Sequence, residues 1–289
     1  SGVPSSSRLH DVVPRIRALN PAAHLCFYGL YASLNEAFLR TELGGGTVLG
    51  GEFESGLLGL YKRLSANGPF ALEPQSEPVI SLNKQDFRVP QREGLPPLSR
   101  YAYVDLGGHG RRRTVGYTEA SRGCKHLCRH CPVVPVYGGR FFVVPSGVVI
   151  QDISQQVASG AEHITFGDPD FFNGVSHAIR LVEELHGQFP DLTYDVTIKV
   201  EHLLKHTHHL ETLVRTGCLF VTTAVESVDD RVLHLLDKGH TRDDFVRLTG
   251  LARDAGLTLS PTFIPFTPWM SLEGYVDLLA LISELGLVD

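Results

Sequence analysis

Three cysteines fall within one short run, Ser121-Arg-Gly-Cys124-Lys-His-Leu-Cys128-Arg-His130-Cys131-Pro132. Thiolates at such short, fixed spacings hold iron-sulfur clusters, and a 4Fe-4S cube tied down by three of them keeps one iron open to a further ligand. A zinc knuckle would need a fourth ligand, usually from a second C-x2-C pair, and the sequence has none. A disulfide framework is disfavoured because three clustered cysteines in a long chain do not make a stapled miniprotein. The other two thiols, Cys26 and Cys218, sit in or beside apolar strand-like runs and read as inert core residues.

The C-x3-C-x2-C spacing resembles the signature of the radical S-adenosylmethionine (SAM) superfamily, and the resemblance runs from about Thr114 to the end of the sequence. It implies a 4Fe-4S cluster on Cys124, Cys128 and Cys131. It further implies that the amino and carboxylate groups of SAM chelate the open iron, where an electron from the cluster splits a carbon-sulfur bond. By the same resemblance, His130 stands where the family carries an aromatic residue that touches adenine. The run Ile164-Thr-Phe-Gly167-Asp168-Pro-Asp170 ends the second strand where the family's Gly-Gly-Glu motif meets the SAM amino group, so Gly167 and Asp168 are expected there, with one glycine matching and Asp in place of Glu. Lys199 and Glu201 would point into the barrel mouth from the third strand, with the ribose hydroxyls and carboxylate of SAM as partners. Glu226, a carboxylate closing an otherwise apolar strand, is the last expected SAM contact. Plainer readings stay open for each: a strand-ending turn for Gly-Asp-Pro-Asp, a surface pair for Lys199 and Glu201, a salt bridge for Glu226.

These residues need elements to position them, and the pattern supplies strands alternating with helices. Strands are expected at Thr114 to Glu119, Glu162 to Gly167, Thr193 to Val200, Leu219 to Val225 and Thr258 to Phe263, with helical periods between them. An α/β class follows, a partial (βα)6-type barrel whose strand ends bind ligands. Five strands are counted where the superfamily core has six, so the last βα unit is expected to be missing. Residues 1–67 also alternate, with strands near His24 to Gly29 and Thr47 to Leu49. They resemble part of the Rossmann-like, cobalamin-binding-like domain that precedes many radical SAM cores. Residues 68–113 are broken by Pro69, Pro74, Pro78, Pro90, Pro96 and Pro97 and read as a linker, leaving 114–289 as the core. His202, His206, His208 and His209 invite a metal reading but lack a carboxylate motif beside them, and a solvated helix face is expected. The aromatic segment Phe263 to Trp269 would either wall off water or pack in the core.

Composition bounds the partners. The sequence is 289 residues with 43% hydrophobic content and a net charge of −6, which disfavours nucleic acid as a partner even though Arg111, Arg112 and Arg113 form a basic run. Arg113, Arg122, Lys125, Arg129 and Arg140 could offset thiolate, cluster and SAM charge. The lack of a signal pattern or a long apolar run implies a cytoplasmic protein that does not meet a membrane. No Asp-x-His-x-x-Gly run is present, so cobalamin is not expected. A narrower resemblance joins Asn20-Pro-Ala-Ala-His-Leu-Cys-Phe-Tyr-Gly, Leu49-Gly-Gly-Glu-Phe-Glu54 and the cysteine run to bacterial radical SAM proteins with cysteine-rich or selenocysteine-containing tails. One branch makes arsinothricin by moving the 3-amino-3-carboxypropyl group of SAM onto trivalent arsenic. It implies a transferase acting on a small molecule such as arsenite, a soft acceptor for thiolates, and an electron donor such as flavodoxin or ferredoxin. A 5′-deoxyadenosyl-radical methyltransferase or cyclase and a metal-binding module without turnover are the alternatives.

Overall fold

Apolar strands that alternate with amphipathic helices bury their faces only by pairing side by side under a helical cover. The computed structural model describes residues 6–67, 75–107 and 112–287. The chain divides into two units, Ser1–Asp86 with Cys131–Gly138, and Phe87–His130 with Gly139–Asp289. Gly68, Pro69, Pro74 and Arg111 lie outside the described residues. No helix among the described residues is long and apolar enough to cross a membrane.

The first unit runs α1 (Ser6–Leu19), β1 (Cys26–Tyr28), α2 (Leu30–Leu34), α3 (Glu36–Thr41), β2 (Thr47–Gly51), α4 (Glu54–Asn67) and β3 (Ile80–Ser81), and α5 (Val134–Tyr137) belongs to it as well. Its three strands are parallel in the order β1-β2-β3. The central β2 is buried throughout, as a parallel strand covered on both faces must be. Val13, Leu25, Ala32, Leu39, Leu43 and Val48 form the core. Gly51 has φ +67, and a Cβ there would lie 2.3 Å from the Ser81 carbonyl, so only glycine lets β3 approach. The adjacent Glu52 is fully buried and accepts a hydrogen bond from the Tyr137 hydroxyl at 3.1 Å.

The second unit is an α/β half-barrel. Its six-stranded sheet has the order β11 (Leu259–Phe263), β10 (Cys218–Glu226), β9 (Thr193–Thr197), β8 (His163–Phe166), β5 (Arg112–Thr118) and β4 (Tyr103–Asp105). All neighbours are parallel except β4, which pairs antiparallel with β5. Helices α6 (Ser146–Ala158), α7 (Val175–Gln188), α8 (Val200–Lys205), α9 (Leu210–Arg215), α10 (Asp230–Leu236), α11 (Arg242–Asp254) and α12 (Leu272–Glu284) connect and follow these strands. A separate antiparallel ribbon, β6 (Ser121–Gly123) with β7 (Phe141–Val143), brackets the cysteine loop. The helices are fixed by apolar stripes: α7 buries Ala178, Leu181, Val182 and Leu185 at helical spacing, each large side chain worth about 1.5–3 kcal/mol of burial. Residues Thr241 and Asp244 form a capping box that starts α11.

Differences from the sequence reading have local causes. The stretch 68–113 contributes β3 to one sheet and β4 to the other, because short pairings survive between prolines. The third parallel strand stops at Thr197, and Lys199 takes the N-cap position of α8 with extended φ/ψ. Between β9 and β10 the helical period is broken into α8, a single tight turn at Thr207–His209, and α9. Of the aromatic segment only Phe263 packs against the core, while Phe266 and Trp269 are 79% and 42% exposed.

Candidate functional site

Every parallel strand of the half-barrel delivers its following loop to the same end of the sheet, and the cysteine run follows the first of them. Ligands bind at this carboxyl end in βα barrels. The β6-β7 ribbon grips the loop at its base, and the Cys124 amide donates to the Arg140 carbonyl at 3.1 Å. Gly123 has φ +77, a conformation that glycine enters without a Cβ penalty, and it turns the chain into Cys124. Cys124 and Cys128 are buried, Cys131 is half-buried, and none of the three is in a disulfide. Cys131 opens the stretch that groups with the first unit, where its carbonyl accepts from the Val134 amide at 3.3 Å.

The segment after β8 holds this loop in place. Asp168 is buried and accepts from the Ala120 amide at 2.9 Å and the Ser121 hydroxyl at 2.6 Å. Burial pushes its carboxyl up to about 7, against the two hydrogen bonds, with Glu119 adding to the rise. Asn173, also buried, accepts from the Lys125 amide and donates to the Gly123 carbonyl, both at 3.2 Å, so one side chain clasps the peptides on either side of Cys124. The Asp168 carboxylate is therefore committed to the loop. Gly167 is overlain by a ring, since a Cβ there would fall 1.7 Å from the Tyr117 hydroxyl oxygen.

Glu226 closes β10 where the register against β11 shifts, and it sits at φ +71. A bulge of this kind re-aims a side chain, and a left-handed non-glycine residue costs on the order of 1–3 kcal/mol that its surroundings must offset. Its Oε1 lies 3.1 Å from His130 Nε2 and accepts from Lys238 Nζ at 3.4 Å. Burial works against the charge, but His130 and Lys238 outweigh it and hold the carboxyl below the ordinary range. His240, close by in sequence, is driven down to about 4, first by burial and then by the charges of Lys238 and Lys199.

The structure brings His130 and Glu226 together, which spacing alone does not show. Lys199 is buried, with Nζ 3.5 Å from Glu201 Oε2, while Glu201 turns on α8 to bond Lys205. The Lys199 and Glu201 pair thus belongs to a helix start, not to alternating strand positions. Arg113 sits at the far end of β5 from the loop and donates to Thr193 at 2.8 Å, so it does not serve the cysteines. The expected solvated helix face fails for His202, which is buried against Asp170. Asn173 and Lys238 carry no motif that marks them in the sequence. The only available hint is position: Asn173 lies in the turn after β8, and Lys238 just after α10, the helix that follows β10.

Comparison with known proteins agrees with this geometry. The radical SAM superfamily pattern matches residues 118–282. Among curated proteins, tRNA-2-methylthio-N(6)-dimethylallyladenosine synthase of Chlorobium phaeobacteroides is 27% identical over 177 residues, which is 56% of this chain and 38% of that protein. The same enzyme of Methylococcus capsulatus is 24% identical, over 59% of this chain and 39% of its own length. The chain thus spans about two fifths of the curated relatives it matches. Among solved structures, the SAM methyltransferase TsrM of Kitasatospora setae, with tryptophan substrate and a SAM analogue bound, superposes with a TM-score of 0.76 at 20% identity, over 96% of this chain and 56% of that one. The cobalamin-dependent SAM radical enzyme OxsB gives 0.58 at 16% identity, over 95% and 45%. TsrM has also been solved with cobalamin and a 4Fe-4S cluster, which leaves the expectation against cobalamin without support.

Proposed function

The chain belongs to the radical SAM superfamily, and from that premise we propose that it cleaves SAM reductively and transfers part of it to a small-molecule acceptor. The observation that carries this reading is the mounting of the cysteine loop: a ribbon base, with Asp168 and Asn173 fixing the backbone around Cys124 from the neighbouring strand end. The donor set fits a 4Fe-4S cluster, since Cys124, Cys128 and Cys131 are cysteines outside any disulfide at C-x3-C-x2-C spacing with no fourth cysteine in the loop. When bound, that cluster supplies the electron that breaks a carbon-sulfur bond of SAM and leaves a carbon radical.

The residues of the chain bind and orient. Glu226 is kept ionised by His130 and Lys238, so it is prepared to accept from the ribose hydroxyls or the ammonium group of SAM. The His130 ring would flank adenine, and Gly167, which bears no side chain, would offer its carbonyl to the ammonium group. Asp168 contributes through its backbone and by holding the loop. Lys199 would meet the SAM carboxylate, with Glu201 setting its position.

For the group transferred, the sequence resemblance supports the 3-amino-3-carboxypropyl group, moved onto trivalent arsenic. Methyl transfer is the second reading, favoured by the TsrM-like fold over 96% of the chain. Product analysis of the anaerobically reconstituted, reduced protein tests both. Methylthioadenosine accompanies aminocarboxypropyl transfer, S-adenosylhomocysteine accompanies methyl transfer, and 5′-deoxyadenosine accompanies the ordinary radical route. Replacing Cys124, Cys128 or Cys131 by alanine should each abolish both the brown chromophore and SAM consumption. Full turnover in any one of the three variants excludes this site.

A further inference from the structure

Between Cys124 and Cys128 the loop carries His126, whose ring does not face solvent but meets two residues from other strand ends. His126 Nε2 is 3.1 Å from His202 Nε2 and 3.5 Å from Asp170 Oδ2, and His202 Nδ1 is 2.8 Å from Asp170 Oδ2. Asp170 is fully buried and His202 is 3% exposed. Asp170 uses Oδ1 to cap the turn at Phe172, at 2.9 Å, yet its Oδ2 and His202 Nδ1 are buried with no well-formed hydrogen bond among the described residues despite their proximity. Buried polar atoms in native proteins are nearly always satisfied, and an unsatisfied cluster calls for a specific cause, such as an ion.

We propose that His126, Asp170 and His202 form a second metal site, distinct from the three cysteines, that binds one zinc ion or a similar first-row divalent cation. One ligand atom from each residue can be chosen so that all three lie within 4.8 Å of one another. Zinc bonds of about 2.0–2.1 Å in tetrahedral geometry put ligand atoms about 3.3 Å apart; around Asp170 Oδ2, His202 Nδ1 at 2.8 Å and His126 Nε2 at 3.5 Å bracket that spacing. Two imidazoles and one carboxylate are a borderline-hard donor set suited to zinc, and three protein ligands leave the fourth position for water. Glu201 Oε2 lies 3.8 Å from Nδ1 of His126, on the side of the ring away from the proposed ion. Metal-bound histidines commonly find a carboxylate there. An ion at this point would tie the loop between two cysteines to the turn after β8 and to α8.

The test counts metals in the whole protein. Anaerobically reconstituted protein is given one equivalent of zinc, desalted, and analysed for iron, sulfide and zinc. The wild type should retain about one zinc per chain in addition to cluster iron, and His202→Gln should lose the zinc while keeping the iron. Cobalt added in place of zinc should give visible ligand-field bands without thiolate charge-transfer absorption, and those bands should vanish in Asp170→Asn. A wild type that holds no zinc beyond stray amounts, zinc unchanged in His202→Gln, or cobalt bound with thiolate charge transfer would each overturn the site. The first outcome would leave a hydrogen-bonded triad only. Iron content and SAM cleavage are read separately, so failure here is distinguishable from failure of the proposed function.

Discussion

His130 and Glu226 are 96 residues apart in sequence and meet at 3.1 Å between Nε2 and Oε1, with Lys238 Nζ on the same carboxylate oxygen. Glu226→Gln keeps the shape but leaves the buried Lys238 charge unpaired, a loss of about 3–5 kcal/mol when one partner of a buried pair is removed. A charged hydrogen bond to SAM is worth about 1.5–3 kcal/mol, so SAM binding should weaken at least tenfold. Calorimetric titration and thermal unfolding separate the two effects. Lower stability with unchanged SAM affinity would assign the pair a structural role alone. Because the Glu226 carboxyl is held below 4.5 in the fold, its stabilisation is present above that value and lost as pH falls through the lowered one. The variant should therefore show a flatter acid limb.

Asp168 gives the opposite sign. Its carboxyl ordinarily titrates near 3.8 and is raised to about 7 by burial. Between those values the folded chain holds a proton that the unfolded chain has released, so stability falls as pH rises through the window and levels off above it. Asp168→Asn should remove that slope, which for the wild type amounts to a few kcal/mol at most, since each tenfold change in proton affinity is worth about 1.4 kcal/mol. The asparagine oxygen can still accept from the Ala120 amide while its nitrogen donates to the Ser121 hydroxyl oxygen, so both contacts are kept and the pH dependence is what changes. Melting curves of both proteins at matched pH values check this. Parallel slopes would mean that Asp168 does not titrate in the window.

How much of this is legible in the sequence depends on how far apart the cooperating residues lie. The cysteine run can be read because its chemistry is set by spacing within eight positions, and the parallel strands because each carries an apolar run between turn signals. The end of β9 cannot, since Lys199 and Val200 suit either an extended strand or a helix start, and only packing decides. His202 reads as solvated because its carboxylate, Asp170, is on another strand end. Asn173 carries no signal of its own, for its two bonds to the peptides around Cys124 exist only once the turn after β8 is folded against the loop.

Asn173→Leu tests that clasp. It leaves the Lys125 amide and the Gly123 carbonyl without partners, at about 1–3 kcal/mol for each buried unsatisfied group. The cost falls on the loop, so the circular dichroism spectrum should match wild type while iron and sulfide per chain fall after reconstitution. Hydrogen exchange at residues 123–125 should accelerate. Full cluster occupancy in the variant would show that the ribbon base suffices to hold Cys124.

Gly167 tests whether the backbone at the end of β8 meets SAM. Adding a methyl group there collides with the Tyr117 ring, whose hydroxyl oxygen would lie 1.7 Å from the new carbon. Tyr117 is 54% exposed, so the ring can swing outward and Gly167→Ala should fold with little loss of stability. What changes is the surface presented beside Gly167. In the Tyr117→Ala background the ring is gone, and any remaining effect of Gly167→Ala on SAM affinity reports the methyl group itself. A double-mutant cycle read by SAM titration therefore separates the two, because contacting residues show coupling of about 0.5–3 kcal/mol. If Gly167 offers its carbonyl to SAM, the methyl group should weaken binding in both backgrounds. If the penalty disappears once Tyr117 is alanine, the glycine serves only to make room for the tyrosine ring.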